Sequence, residues 1–240
     1  MRILIIRHGD PDYAHDSLTE RGFREAELLG ERLEKEKLTA VYCSPLGRAR
    51  ATAAPTCRRI GREPVILDWL KEFPAPPVVT PGQSHPVAAW NCEPSYWSAY
   101  PEHFDREKWR DSPVFRDTGI GAIYDGICRQ FDALIAEHGF VRDGMRYHIR
   151  PGYEDSRDTI ALFCHLGLGG SLLSHITGVP LPQWWHTVFL PTSSVTTVFM
   201  EKHLPEEPVA IGRVIGVGDV SHLYGGGTEV SSSGLHNSIF

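Results

Sequence analysis

Four short stretches of the 240-residue chain bring together side chains that could hold and attack an anion: Arg7-His8-Gly9, Ser44-Pro45-Leu46-Gly47-Arg48, Glu72, and Cys164-His165. Two guanidiniums are planar, permanently charged forks that match phosphate oxygens and can stabilise a phosphoryl group in transfer without a metal ion. A neutral imidazole is a good nucleophile near neutral pH, and the arginines near His8 keep it unprotonated by like-charge repulsion. Gly9 is expected to let the backbone approach the ligand. His165 could donate to a phosphoryl oxygen across the cavity from His8, and Glu72 could protonate a departing oxygen and later take a proton from water. The expected site is thus catalytic at His8, Glu72 and His165 and phosphate-binding at Arg7, Arg48 and His165.

Each residue alone has a plainer reading: a solvated arginine, a surface glutamate, a hydrogen-bonded core histidine. What favours function is their joint position. Ile3 to Ile6, Ala40 to Cys43, Val65 to Leu67 and Ile160 to Cys164 are short apolar runs without polar alternation, as expected of strands covered on both faces in a parallel sheet. Each candidate group follows one of these runs closely, and functional groups in such sheets gather beyond the carboxyl ends of the strands.

Between the runs, helical spacing returns. Ser17-Leu18-Thr19-Glu20 offers a capping pattern for a helix to about Lys37, Ser44-Pro45 can open a second to about Ile60, and further helices are expected at Tyr124 to Glu137 and Leu168 to Thr177. A last strand is expected at Val195 to Met200. The alternation predicts a three-layer α/β/α fold with a largely parallel central sheet, in one domain spanning residues 1–240.

An insertion at about 73–123 breaks this rhythm, with eight prolines and seven aromatic residues between Phe73 and Ala122. Such an excursion serves equally as a lid, a subunit interface in a homo-oligomer or a satellite core. Its Arg106, Lys108, Arg110 and Arg116 are offset by neighbouring acids, so it forms no basic patch. The Gly/Ser-rich stretch 225–240 reads as a mobile tail without chemistry.

Composition excludes several classes. With 41% hydrophobic and 22% charged residues the chain is an ordinary globular one, and its net charge of -6 argues against nucleic acid as a partner. No run approaches the ~20 apolar residues that span a bilayer, and five cysteines without a C-x-x-C pair suit a reducing cytoplasm. No H-E-x-x-H spacing accompanies the twelve histidines, and arginines beside histidines repel a divalent cation, so neither metal nor other cofactor is expected. The spacing also lacks a P-loop, a dinucleotide fingerprint and a G-x-S-x-G elbow.

Taken together, Leu4-Ile5-Ile6-Arg7-His8-Gly9, Leu18-Thr19-Glu20-Arg21-Gly22, Ser44 to Ala53, His165 and Gly218-Asp219-Val220-Ser221-His222-Leu223 resemble the histidine phosphatase superfamily, with its phosphoglycerate mutase-like fold. The resemblance implies a phosphohistidine on His8, a phosphate pocket of Arg7, Arg48 and His165, Glu72 as proton donor, and a structural role for His222. It departs from the family at Asp10-Pro11-Asp12-Tyr13 and at Leu166-Gly167, where many members have two glycines. Only nine residues separate His8 from Leu18, which favours a phosphatase acting on a small-molecule phosphomonoester over a mutase. A catalytically silent phospho-ligand sensor is the alternative from another class.

Overall fold

The strands β1 (Arg2–Arg7), β4 (Ala40–Cys43) and β8 (Thr159–Cys164) run parallel at the heart of an eight-stranded sheet in this computed structural model, which describes residues 1–80, 85–204 and 206–235. Around them, in chain order, come β2 (Pro11–Asp12), β3 (Ser17–Leu18), α1 (Glu20–Leu33), α2 (Gly47–Ile60), β5 (Val65–Ile66), α3 (Pro94–Trp97), α4 (Ile120–Glu137), β6 (Phe140–Asp143), β7 (Arg146–Ile149), α5 (Leu166–Thr177), α6 (Leu181–Thr187), β9 (Val195–Lys202), β10 (Val209–Asp219) and α7 (Ser221–Gly225). The spatial order is β5-β4-β8-β1-β9-β10-β7-β6. The first four strands pair in parallel, and the last four continue the sheet antiparallel.

Both faces of β1, β4 and β8 are buried, which is why these strands carry no polar alternation; β5 departs from the expectation, for it is the edge strand and its Val65 and Ile66 are exposed. Leu4, Ile6, Val41, Cys43, Ala161 and Phe163 pack on one side with Leu29 and Leu33 of α1 and Ala49 and Ala53 of α2. Ile3, Ile5, Ile160 and Leu162 face the other side, with Phe131 of α4 and Leu168 and Leu172 of α5. Each large aliphatic side chain buried this way stabilises the fold by roughly 1.5–3 kcal/mol. The three expected layers are present.

Several local expectations are corrected. Thr19, not Ser17, caps α1, its side chain accepting from Gly22 N at 3.1 Å, while Ser17 and Leu18 pair with Asp12 and Pro11. Helix α2 begins at Gly47, whose N–H donates to Asp16 Oδ2 at 2.7 Å, and not through a Ser44 cap, for Ser44 Oγ accepts from Leu46 N. Strand β10 and the β6–β7 hairpin were not anticipated. The insertion is no separate layer: Trp109 and Phe115 are each 1% exposed, and Phe115 meets Trp185 of α6 edge-on. Phe73, Trp97, Trp109 and Phe115 belong to the same core as α4 and α5.

Strand register sets the site. Arg7 lies opposite Cys164 and Cys43 opposite Phe163, so His8, Ser44 and His165 leave the sheet at the same edge. His8 N donates to Cys164 O at 3.0 Å and Ser44 N to Phe163 O at 2.9 Å, continuing the ladders one residue past the strands.

Candidate active site

At that edge Arg7, His8, Arg48 and Glu72 line one cavity of about 200 Å³, together with Tyr13, Trp90, Asn91, Leu166 and Gly234. His165 lies fully buried behind this wall, its ring 5.2 Å from that of His8 and tilted by 57°. The two imidazoles are therefore side by side rather than facing each other across the cavity. The sheet edge packs the residues after β1 and β8 directly against one another, leaving no room for an oxyanion between the rings.

His8 is locked by its backbone. Its Nδ1 lies 2.7 Å from Gly9 O, and a carbonyl only accepts, so Nδ1 carries the hydrogen and Nε2 keeps a lone pair. Burial, reinforced by Arg7 and Arg48, pushes its pKa down to about 3, so the ring is neutral at ordinary pH. His165 is also held well below the usual imidazole range, first by burial and then by His8, Arg48 and Arg7. Its Nε2 is 2.8 Å from Ser44 Oγ, which accepts from Leu46 N, and its Nδ1 is buried without a partner.

The guanidiniums are held from behind. Arg7 donates to Leu190 O at 2.6 Å and Ser233 O at 3.0 Å and lies over the Phe189 ring, 5.3 Å from its centre. Arg48 donates to Asp16 Oδ1 at 2.7 Å and lies over Tyr13. Arg7 Nε and Arg48 Nε, like His165 Nδ1, are buried without an acceptor. An unpaired buried polar group is costly, and because Arg7 and Arg48 line the cavity their Nε donors call for a ligand that accepts from them.

Glu72 sits at the amino end of α5, its Oε1 accepting from Phe73 N at 2.8 Å and Leu168 N at 2.9 Å. Burial raises its pKa, and those amides and Arg7 oppose the rise. Gly167 must be a glycine, since a Cβ there would lie 2.6 Å from the Trp90 ring and 2.9 Å from Glu72 Oε1, while the departure itself, Leu166, lines the cavity. Gly9, by contrast, does not serve a ligand's approach. A Cβ at Gly9 would lie 2.9 Å from Gly22 O, so the residue is needed where β1 passes the start of α1.

Other contributors escaped the sequence reading. Asp16 anchors both Arg48 and Gly47 N, Ser44 orients His165, and Thr52 Oγ1 accepts from Gly9 N. Ser44 stands at a strand exit, the same signal that singled out His8 and His165; Thr52 lies one helical turn after Arg48. Asp16 and Ser193 hold positive φ (46° and 55°), backbone strain of the kind that collects at functional sites, and Ser193 N supports His8 O at 3.0 Å. His222 backs Ser193, its Nε2 3.1 Å from the Ser193 hydroxyl, which is a structural position. The supposed tail is also part of the wall: Ser233 O caps Arg7, Ser231 Oγ donates to Asp10, and Gly234 lines the cavity, whereas 236–240 lie outside the described residues. No group of three or more metal-ligating side chains comes together among the described residues.

Residues 3–117 match the model of the histidine phosphatase superfamily (branch 1). The probable phosphoglycerate mutase GpmB of Photorhabdus laumondii is 28% identical over 82 residues, a stretch covering 30% of this chain and only 38% of that protein. Among solved structures, phosphoserine phosphatase of Entamoeba histolytica in complex with 3-phosphoglyceric acid superposes with a TM-score of 0.61 at 16% identity, covering 92% of this chain and 98% of that one. The mycobacterial glucosyl-3-phosphoglycerate phosphatase complexed with VO3 gives 0.59 at 19% identity, covering 90% and 97%. At such identities the likeness is one of fold: the chain has the phosphoglycerate mutase-like α/β fold.

Proposed function

We propose that this chain, which carries the histidine phosphatase superfamily pattern over residues 3–117, hydrolyses small-molecule phosphomonoesters through a phosphohistidine on His8. The observation that carries this reading is the state of His8: neutral, buried beside two guanidiniums, with Nδ1–H committed to Gly9 O and the Nε2 lone pair left over.

In the first step Nε2 of His8 bonds to phosphorus while the ester P–O bond breaks, and the Glu72 carboxyl gives its proton to the departing alcohol oxygen. The raised pKa of Glu72 keeps the acid form available. In the second step Glu72, now a carboxylate, takes a proton from a water whose oxygen bonds to phosphorus. The P–N bond breaks, inorganic phosphate leaves, and His8 is neutral again. Arg7 Nε–H and Arg48 Nε–H find in the phosphoryl oxygens the acceptors they lack, and supply fixed positive charge where negative charge develops. With Ser44 Oγ donating to Nε2, His165 carries its hydrogen on Nδ1 and backs the His8 ring from behind the cavity wall. Two permanent cations make the step metal-independent. The five free, buried cysteines accord with the expected reducing cytoplasm, and no helix of the described residues is long and apolar enough to cross a membrane.

Assay with p-nitrophenyl phosphate in the presence of EDTA tests the reading. Wild-type turnover is retained and His8→Ala lowers kcat/KM by about 10³-fold or more; chelator-sensitive turnover that survives the substitution would end it. The name of the Photorhabdus relative keeps a mutase reading in view. Release of inorganic phosphate, rather than return of the phosphoryl group to a second hydroxyl, separates the two.

A further inference from the structure

The phosphoryl cavity adjoins a wider one of about 540 Å³. Trp90, Asn91, Leu166 and Gly234 line both, so they form the neck through which the organic part of an ester passes when its phosphorus is at His8. Beyond the neck the two compartments differ in charge. The first holds Arg7 and Arg48, whereas among the described residues no lysine or arginine lines the second.

Its walls are aromatic. Trp97 stacks on His186 with centres 4.7 Å apart and planes 19° apart, and Trp90 meets Trp185 edge-on at 5.7 Å. Phe189, which lies over Arg7, is shared ground between the phosphate end and this room. The acidic residue of the wall is Glu93, whose Oε2 accepts from Thr80 Oγ1 at 2.6 Å. His186 is neutral, burial pushing its pKa down to about 4; its Nδ1–H donates to Pro182 O at 2.8 Å, and its Nε2 acceptor is buried without a partner.

A carboxylate or second phosphate entering this half-open room would give up part of its water, meet no lysine or arginine among the described lining residues and face Glu93, so it gains no compensating ion pair. A flat apolar ring loses nothing there and gains contact with indole and phenyl faces. Resting on the reading of His8 as the phosphoryl acceptor, we infer that the substrates are phosphomonoesters whose organic part is a ring-bearing, apolar group without a second negative charge. The compartment's volume lies within the 300–1,000 Å³ typical of organic-ligand sites and exceeds what a three-carbon acid would fill.

The test compares kcat/KM for 2-naphthyl phosphate, phenyl phosphate and 3-phosphoglycerate on the full chain. The wild type should prefer the naphthyl over the phenyl ester by about tenfold and reject 3-phosphoglycerate by about 10²-fold relative to the phenyl ester. Trp97→Ala should reduce the naphthyl-to-phenyl ratio by about tenfold. Leu235→Trp, at the compartment's partly exposed margin, should reduce it too by filling the room, and covers the case in which the Trp97 variant does not fold. Glu93→Gln should raise 3-phosphoglycerate turnover relative to phenyl phosphate by about fivefold. Unchanged ratios in the variants, or 3-phosphoglycerate accepted as well as the phenyl ester, would overturn this inference while His8-dependent turnover of phenyl phosphate upheld the general reading. Absence of His8-dependent turnover with all three esters would overturn both.

Discussion

The phosphoryl cavity and the aromatic compartment beside it are built by opposite means. The first is a product of strand register: His8, Ser44 and His165 leave adjacent parallel strands at one level, and the ladder hydrogen bonds continue past each strand to hold them there. Its buried donors are left over, waiting for an acceptor. The second is assembled from short helices and loops, with Trp90 and the α3 residue Trp97 from the insertion, Trp185 and His186 from α6, and Gly234 and Leu235 from the last described residues. Its rings mostly satisfy one another. The difference teaches that the reacting group and the rest of a substrate are recognised by different kinds of order: a few charges fixed to within one register step, and a wall of ring faces fixed by packing.

That contrast can be broken most forcefully at Glu72. If it is the proton donor, Glu72→Gln lowers kcat/KM by about 10³-fold for an alkyl phosphate, whose leaving oxygen needs a proton. For p-nitrophenyl phosphate, with its stable phenolate, the loss stays within about tenfold; equal losses for both esters would assign Glu72 to binding instead. For the alkyl ester, activity also falls as pH rises, because the carboxyl group, though raised, must be protonated in the first step. No acidic limb is set by His8 above its pKa of about 3.

The aromatic side is broken by truncating its support. Trp109 meets Phe115 and Tyr124 edge-on at 5.9 and 5.5 Å, and Trp109→Ala should cost about 3–5 kcal/mol of stability in denaturant unfolding. A detached flap over the site would leave the unfolding midpoint nearly unmoved, so that result would return the insertion to the status of a lid.

Smaller changes sharpen the contrast. Ser44→Ala frees the His165 ring and should lower kcat by about tenfold, with KM for the ester little changed. The reverse pattern, KM raised and kcat kept, would make Ser44 a binding group. In the aromatic room, His186 should reveal itself by pH. Its pKa falls from 6.5 in the unfolded chain to about 4 in the fold, so between those values the unfolded chain binds the extra proton and stability drops as pH falls. His186→Gln should flatten the slope of stability against pH in that window by up to one proton, about 1.4 kcal/mol per pH unit. An unaltered slope would show that the ring titrates normally.

How much of this was legible in the sequence follows the same division. Apolar runs without alternation announced β1, β4 and β8, and the strand-exit rule then found Arg7, His8 and His165 with no further information. Strand β10 was hidden because Gly212, Gly216 and Gly218 interrupt it and most of its side chains are not fully buried, so neither periodicity nor composition marks a strand. The β6–β7 hairpin did carry a signal, Asp143-Gly144 at its turn, but its strands are short and partly exposed. Asp16, Ser233 and Gly234 were illegible for a deeper reason. Ser233 acts through a carbonyl oxygen and Gly234 through a left-handed backbone, so no side-chain type betrays them, and Asp16 does act through its carboxylate but stands in a short loop far in sequence from the Arg48 it holds. The Gly/Ser composition that suggests a loose tail is also what lets 231–234 lie close against Arg7 and Asp10.

The central claim is a covalent bond between phosphorus and Nε2 of His8. Rapid quenching of the full chain with a ³²P-labelled phosphomonoester should trap a phosphoenzyme that survives alkali, is lost in acid, maps to His8 and turns over to inorganic phosphate at the rate of the reaction. Turnover with no such species formed, or with an acid-stable label on another residue, would contradict the account.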